Sequence, residues 1–190
     1  MKSFLKISFP IACFAFVISS CDPAKEFETE IKSIDSCISV LDKIDSLFKG
    51  IEFDSLNIMV DHVNKNEELM KEYYKSDTID QLLGSYMNSC KGIRKSLKNL
   101  ATTKTDFADE IAAIYSQLNN LKTDVSNGVF EKEEIEKYLA TEKDALNKLN
   151  LSFTEFYTIQ RDQKSVYYLC VPFVDGYVNA LNIPGEDTLQ

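Results

Sequence analysis

The residue types that most often perform catalysis or bind metals are sparse in this chain of 190 residues. Its one histidine, His62, lies off the apolar face of its segment, so we expect a solvated surface side chain. The cysteines at positions 37, 90 and 170 lack the spacing of a metal site. Adjacent carboxylates such as Glu133 and Glu134 are typical of a solvated helix face. These residues predict a protein that is not an enzyme and that uses no metal and no cofactor.

Composition narrows the fold class and the partners. The chain has 30 acidic and 21 basic side chains, a net charge of −9, which disfavours nucleic acid because phosphate binding needs a basic surface. Six glycines, four prolines and no tryptophan argue against a turn-rich β protein. A hydrophobic content of 44% is enough for one buried core. We therefore expect an acidic, single-domain, all-α protein.

The first residues of the chain have the pattern of a secretion signal. Lys2 and Lys6 precede an apolar stretch over residues 7–18, which is shorter than the roughly 20 residues needed to span a bilayer. The stretch closes with Ile18-Ser19-Ser20-Cys21, an aliphatic residue, two small residues and a cysteine. This segment resembles the lipobox of bacterial lipoproteins, and the whole chain resembles the helical lipoproteins of Gram-negative envelopes.

The resemblance implies a modified mature protein attached to a membrane. Residues 1–20 would be removed as the signal peptide, Cys21 would be lipidated, and residues 21–25 would form a lipidated tether. Several acyl chains on one residue anchor a protein stably. An acidic body is not expected to lie flat on an anionic membrane. We expect the cell envelope, and the outer rather than the inner membrane, while Asp22 leaves the leaflet open.

After the tether, apolar residues recur at steps of three and four, the pattern of amphipathic helices. Two shorter helices are predicted at about 25–49 and 54–76, the first ended by Gly50. Their similar length suggests that they fold back on each other.

Two long helices are predicted at about 79–126 and 131–181, with a turn at Asn127-Gly128. They would form an elongated antiparallel hairpin with a coiled-coil-like seam, about 70 Å long if both helices are unbroken. The poor helix formers at 101–106, with Asp106 as a possible cap, allow a break. Continuity is favoured because the heptad phase runs through them. The helical-bundle domain spans 26–182, and residues 183–190 form a disordered tail.

The shortest loop sets the register of this hairpin. It pairs Phe107 with Phe153 and Cys90 with Cys170. Envelope compartments permit disulfides, so we predict a Cys90–Cys170 bond that closes a loop of about 80 residues. Two buried free thiols are the alternative, and Pro172 beside Cys170 favours that alternative.

Polar seam residues near mid-hairpin, together with neighbouring aromatic residues, form a candidate binding patch, which consists of Lys104, Phe156, Tyr157, Gln160 and Gln163. Polar groups on a seam must find partners, water or a ligand. Specification of the hairpin register, or simple exposure, is the alternative explanation.

Asp-Ser/Thr-aliphatic triplets place Ser55, Thr78 and Thr188 as candidate O-glycosylation sites. They resemble the acceptor sequence of some Gram-negative bacteria, although Asp-Ser and Asp-Thr are also good helix N-caps.

The sequence supports two candidate functions. The first is a lipid-anchored scaffold or interaction protein with an envelope protein as its partner. The alternative is a ligand- or glycan-binding accessory lipoprotein that uses the mid-hairpin patch.

Overall fold

The computed structural model describes residues 23–78, 80–181 and 183, and these residues form helices with no strand. The helices are α1 (Pro23–Glu26), α2 (Glu28–Lys49), α3 (Phe53–Tyr73), α4 (Gln81–Ser96), α5 (Leu100–Ser126) and α6 (Lys132–Val178). The predicted all-α class is confirmed. Among the described residues, no helix combines the length and apolar character needed to cross a membrane.

The hairpin forms in the predicted register. The rings of Phe107 and Phe153 lie 5.5 Å apart, and the Sγ atoms of Cys90 and Cys170 lie 2.9 Å apart. The turn contains Gly128 at φ 65°, in the left-handed region that glycine adopts without steric cost. At the start of α6, the Glu134 side chain accepts a hydrogen bond from the backbone N–H of Glu131 at 3.2 Å.

The predicted continuity of the first long helix is wrong. Residues 97–99 form a turn between α4 and α5, and Asn99 adopts φ 61°. Asparagine tolerates this left-handed conformation better than most residues. The segment 101–106, where a break seemed possible, lies inside α5. Leu97 and Leu100 on either side of the turn are both buried, so the interruption does not remove the apolar seam.

The shorter helices do not fold back on each other as predicted. They follow one another along the hairpin, with α2 packed on α5 and α6 and α3 packed on α4 and α6. Lys122 pairs with Asp35 at 2.6 Å near the hairpin turn, whereas Asn66 donates to Asp175 at the far end. The apolar faces of α2 and α3 both pack into the groove along the hairpin. If α2 and α3 packed against each other instead, this groove would stay exposed to solvent.

The result is an elongated bundle with three helices in most cross-sections: α2 followed by α3, α4 with α5, and the bent helix α6. α6 has 47 residues, runs through Pro172, and rises about 70 Å along its path. The residues around the turn, where α1 and the start of α2 pack on α5, form the hairpin end. The residues around the C-terminus of α6 form the distal end.

Candidate functional site

A polar pocket of about 310 Å³ opens between α3 and α6 at the distal end. α3 contributes His62, Lys65 and Asn66 from successive turns of one face, α6 contributes Asp175, and Asn179 follows at the C-cap of α6. Four apolar side chains complete the lining, Leu69, Val178, Leu181 and Ile183. The pocket lies at the lower end of the size range of small-molecule sites. We call it the distal pocket.

A hydrogen-bonded chain crosses the wall of the distal pocket. The Tyr167 hydroxyl lies 2.7 Å from His62 Nδ1, and His62 Nε2 lies 3.1 Å from Asp175 Oδ1. Asn66 Nδ2 donates to the same carboxylate oxygen at 2.6 Å. A carboxylate only accepts hydrogen bonds, which assigns the proton of a neutral imidazole to Nε2 and makes Nδ1 the acceptor of the Tyr167 hydroxyl. One tautomer therefore satisfies the whole chain.

The side chains of this hydrogen-bonded network are partly or fully buried. Asn66 is 4% exposed, and the side chains of His62 and Asp175 are 35% and 32% exposed. Burial, followed by the negative charge of Asp175, raises the pKa of the Tyr167 hydroxyl, which stays protonated as a hydrogen-bond donor. The arrangement can bind a polar ligand through its carboxylate, amides and imidazole, with Lys65 at the rim.

The expectation that His62 is a simple surface residue is wrong. α3 contacts α4 on one side and α6 on the other, so its buried face is wider than a single seam. Val63 and His62 both point towards the bundle, Val63 into the core and His62 against Tyr167. One feature of the sequence could have indicated this site: the polar residue Asn66 follows His62 by one turn on the same helix face. A search limited to the apolar seam positions does not detect such a pair.

The thiols of Cys90 and Cys170 lie in the core close to this site. Both residues are almost fully buried, at 3% and 1% exposure. Burial raises the pKa of both thiols, so that neither is an activated nucleophile. The structure carries them as adjacent free cysteines, and the disulfide stays a prediction. Cys37 is buried separately in α2.

In the mid-hairpin patch, Lys104 and Phe156 meet a side chain from outside the hairpin. Phe53, the first residue of α3, stacks on Phe156 with ring centroids 5.9 Å apart. The exposed Lys104 places its Nζ 5.5 Å from the centroid of the same Phe53 ring, a cation–π geometry.

The other members of the patch are partly or fully buried in the bundle. Gln160 is buried and donates from Nε2 to the backbone oxygen of Tyr157 at 3.1 Å. Tyr157 packs beside Phe153, and Gln163 is half-buried. The distal pocket contains none of these residues. Ligand binding by the patch stays a prediction.

The predicted modification sites fall in three different settings. Ser55 is half-buried in the first turn of α3. Thr78 is exposed in the loop between α3 and α4, where Ser76 Oγ donates to its backbone oxygen at 3.0 Å. Thr188 and the lipidation candidate Cys21 lie outside the described residues.

Comparisons with protein-family models, with curated proteins and with solved structures found no match to this chain.

Proposed function

We propose that this protein is a membrane-anchored helical lipoprotein of the cell envelope that acts as a scaffold or interaction protein. The lipid on Cys21 holds it to a membrane, the outer membrane in our proposal. The bundle then presents its distal end to an envelope partner. The arrangement of the two ends supports this proposal.

The chain enters the bundle at the end opposite the distal pocket. α1 contacts α5, and Asp35 pairs with Lys122 one turn before α5 ends. Cys21 is two residues before Pro23, the first residue of α1. From Ile135 near the turn to Asp175 in the distal pocket, α6 rises about 60 Å. A lipid on Cys21 would therefore place the hairpin end near the bilayer and the distal pocket far from it.

The packing at mid-hairpin favours a scaffold over a ligand-binding groove at that level. Leu97, Leu100 and Phe153 are all buried there, and Phe53 fills the space beside Phe156. A continuous apolar core stiffens a rod, whereas a groove would interrupt it.

A second candidate function is a ligand-binding accessory lipoprotein, now with its site at the distal pocket. The observation that favours it is the set of polar groups on one wall: the Asp175 carboxylate, the Asn66 amide and the His62 imidazole. Such groups match a small ligand rich in hydroxyl or amide groups.

Labelling with a palmitate analogue, followed by membrane fractionation, tests the anchor. The wild-type chain is expected to incorporate the label and to sediment with membranes, whereas Cys21→Ala is expected to lose both properties. Cys13→Ala, within the signal segment, is the matched control and should behave as wild type. A Cys21→Ala chain that still carries the label would disprove the lipobox assignment.

Photo-crosslinking in cells tests the role of the distal end. A photoreactive residue at the exposed position 179 should capture one envelope protein reproducibly, and the same residue at exposed position 133 should not. Capture only at position 133 would contradict the scaffold proposal. Capture at neither position would favour the ligand-binding candidate.

A further inference from the structure

A second pocket, of about 210 Å³, lies at the hairpin end between α5 and α6. Its polar lining comes from Gln117, Asn120 and Asp124 on α5 and from Glu142 on α6. Phe130 and Tyr138 form an aromatic wall, with ring centroids 4.9 Å apart. We call it the hairpin-end pocket. It shares no residue with the distal pocket.

Glu142 is the unusual residue in this pocket. Its Oε2 atom is buried and has no hydrogen-bond partner, the one such side-chain atom found among the described residues. Burial raises the pKa of this carboxyl, because a desolvated negative charge is unfavourable. Glu142 also lines the pocket, so a cation bound there would lie near its carboxyl group and would balance its charge when it is ionised.

The rest of the lining selects the kind of cation. Asp124 adds a second carboxylate, and the faces of Phe130 and Tyr138 are electron-rich. Aromatic faces attract weakly hydrated organic cations such as substituted ammonium groups, while the amide oxygens of Gln117 and Asn120 can accept their N–H groups. The volume limits the ligand to a few carbon atoms around the nitrogen.

We propose that the hairpin-end pocket binds a small organic ammonium group, with Glu142 and Asp124 as counterions and Phe130 and Tyr138 as the aromatic wall. The inference goes beyond the proposed function and holds whether or not Cys21 is lipidated. The same chemistry has two sources, a free amine and the headgroup of an aminophospholipid.

Thermal unfolding of the full-length protein in detergent tests the proposal, with tetramethylammonium chloride as the probe. A ligand that binds only the folded state raises the unfolding midpoint, and the stabilisation grows as RT ln(1 + c/Kd), where c is the free ligand concentration. We expect tetramethylammonium to raise the midpoint relative to sodium chloride of equal ionic strength. The neutral isostere tert-butanol should not do so.

Substitution of the counterion separates binding at this pocket from general salt effects. Glu142→Gln keeps the shape of the side chain and should weaken the tetramethylammonium response at least tenfold. Glu136→Gln, at an exposed position on the same helix, should retain the full response. Circular dichroism checks that both variants fold. No response in the wild type, or an equal response in Glu142→Gln, would overturn the proposal.

Reconstitution into vesicles distinguishes the two sources. If the headgroup occupies the pocket, phosphatidylethanolamine in phosphatidylglycerol vesicles should abolish the response to tetramethylammonium. If the natural ligand is a free amine, the response should be equal in vesicles with and without phosphatidylethanolamine. Loss of the wild-type response in both kinds of vesicle would overturn the proposal for the membrane-bound protein.

Discussion

At the scale of single residues, Asp175 joins α3 to α6 at the distal pocket. Its Oδ1 accepts from Asn66 and from His62, two residues that lie more than a hundred positions earlier in the chain. The buried amide of Asn66 has its hydrogen bond only because the carboxylate is there. The site therefore depends on a contact that no local sequence pattern encodes.

Asp175→Ala should lower the free energy of unfolding by about 1–3 kcal/mol, because it leaves the Asn66 amide without its acceptor. Asp162→Ala, at an exposed position on the same helix, should change it by less than about 0.5 kcal/mol. Urea unfolding followed by circular dichroism measures both values. Equal small effects would show that the hydrogen-bonded chain contributes nothing to stability.

Glu142 provides a prediction about pH. Its pKa is higher in the folded than in the unfolded chain, so the folded state binds more protons between the ordinary value of 4.5 and the raised one. The contribution of Glu142 should therefore favour folding increasingly as pH falls through that window and oppose folding above it. Comparison of Glu142→Gln with wild type from pH 4 to pH 8 measures this difference. A pH-independent difference would contradict the burial of an ionisable group.

At the scale of elements, the turn between α4 and α5 depends on one backbone conformation. Asn99→Ala should cost about 1 kcal/mol, because alanine is strained in the left-handed region. Asn99→Gly should be neutral or stabilising. Asn147→Ala, exposed in the middle of α6, is the control and should be slightly stabilising. A glycine variant less stable than the alanine variant would argue for a continuous helix there, because glycine is the poorer residue inside a helix.

The pairing of α4 with α6 gives a second prediction at this scale. In protein isolated from cells, digestion without reductant should yield a cross-linked peptide that contains Cys90 and Cys170, while Cys37 remains a thiol. Reduction should then lower stability by about 3–4 kcal/mol. The double variant Cys90→Ala and Cys170→Ala should not respond to the reductant. Free thiols at both positions in the isolated protein would show that the pair stays reduced.

At the scale of the whole molecule, the proposed lipid on Cys21 predicts that the two ends of the bundle differ in their distance from the membrane. Fluorophores attached at Glu133→Cys and Asn179→Cys report the hairpin end and the distal end. In vesicles that contain a lipid-bound quencher, the first label should be strongly quenched and the second should not. Equal quenching would mean that the rod lies along the bilayer.

Much of the architecture follows from the sequence alone. The three- and four-residue spacing of apolar side chains predicts helices, and the short turn at Asn127-Gly128 predicts an antiparallel hairpin. With that turn as a fixed point, the pairs Phe107–Phe153 and Cys90–Cys170 follow from helix geometry. These features depend on local periodicity and on a short loop, both of which a sequence displays directly.

The distal pocket, the end-to-end placement of α2 and α3, and the turn at Asn99 were decided only by the tertiary structure. Periodicity identifies the apolar face of a helix but not the neighbour that this face meets. His62 and Asn66 meet Asp175 only because α3 runs along α6, and the orphaned oxygen of Glu142 arises only because the folded bundle buries it. The sequence by itself thus determined the all-α class and the hairpin register, whereas the packing of distant segments determined both pockets.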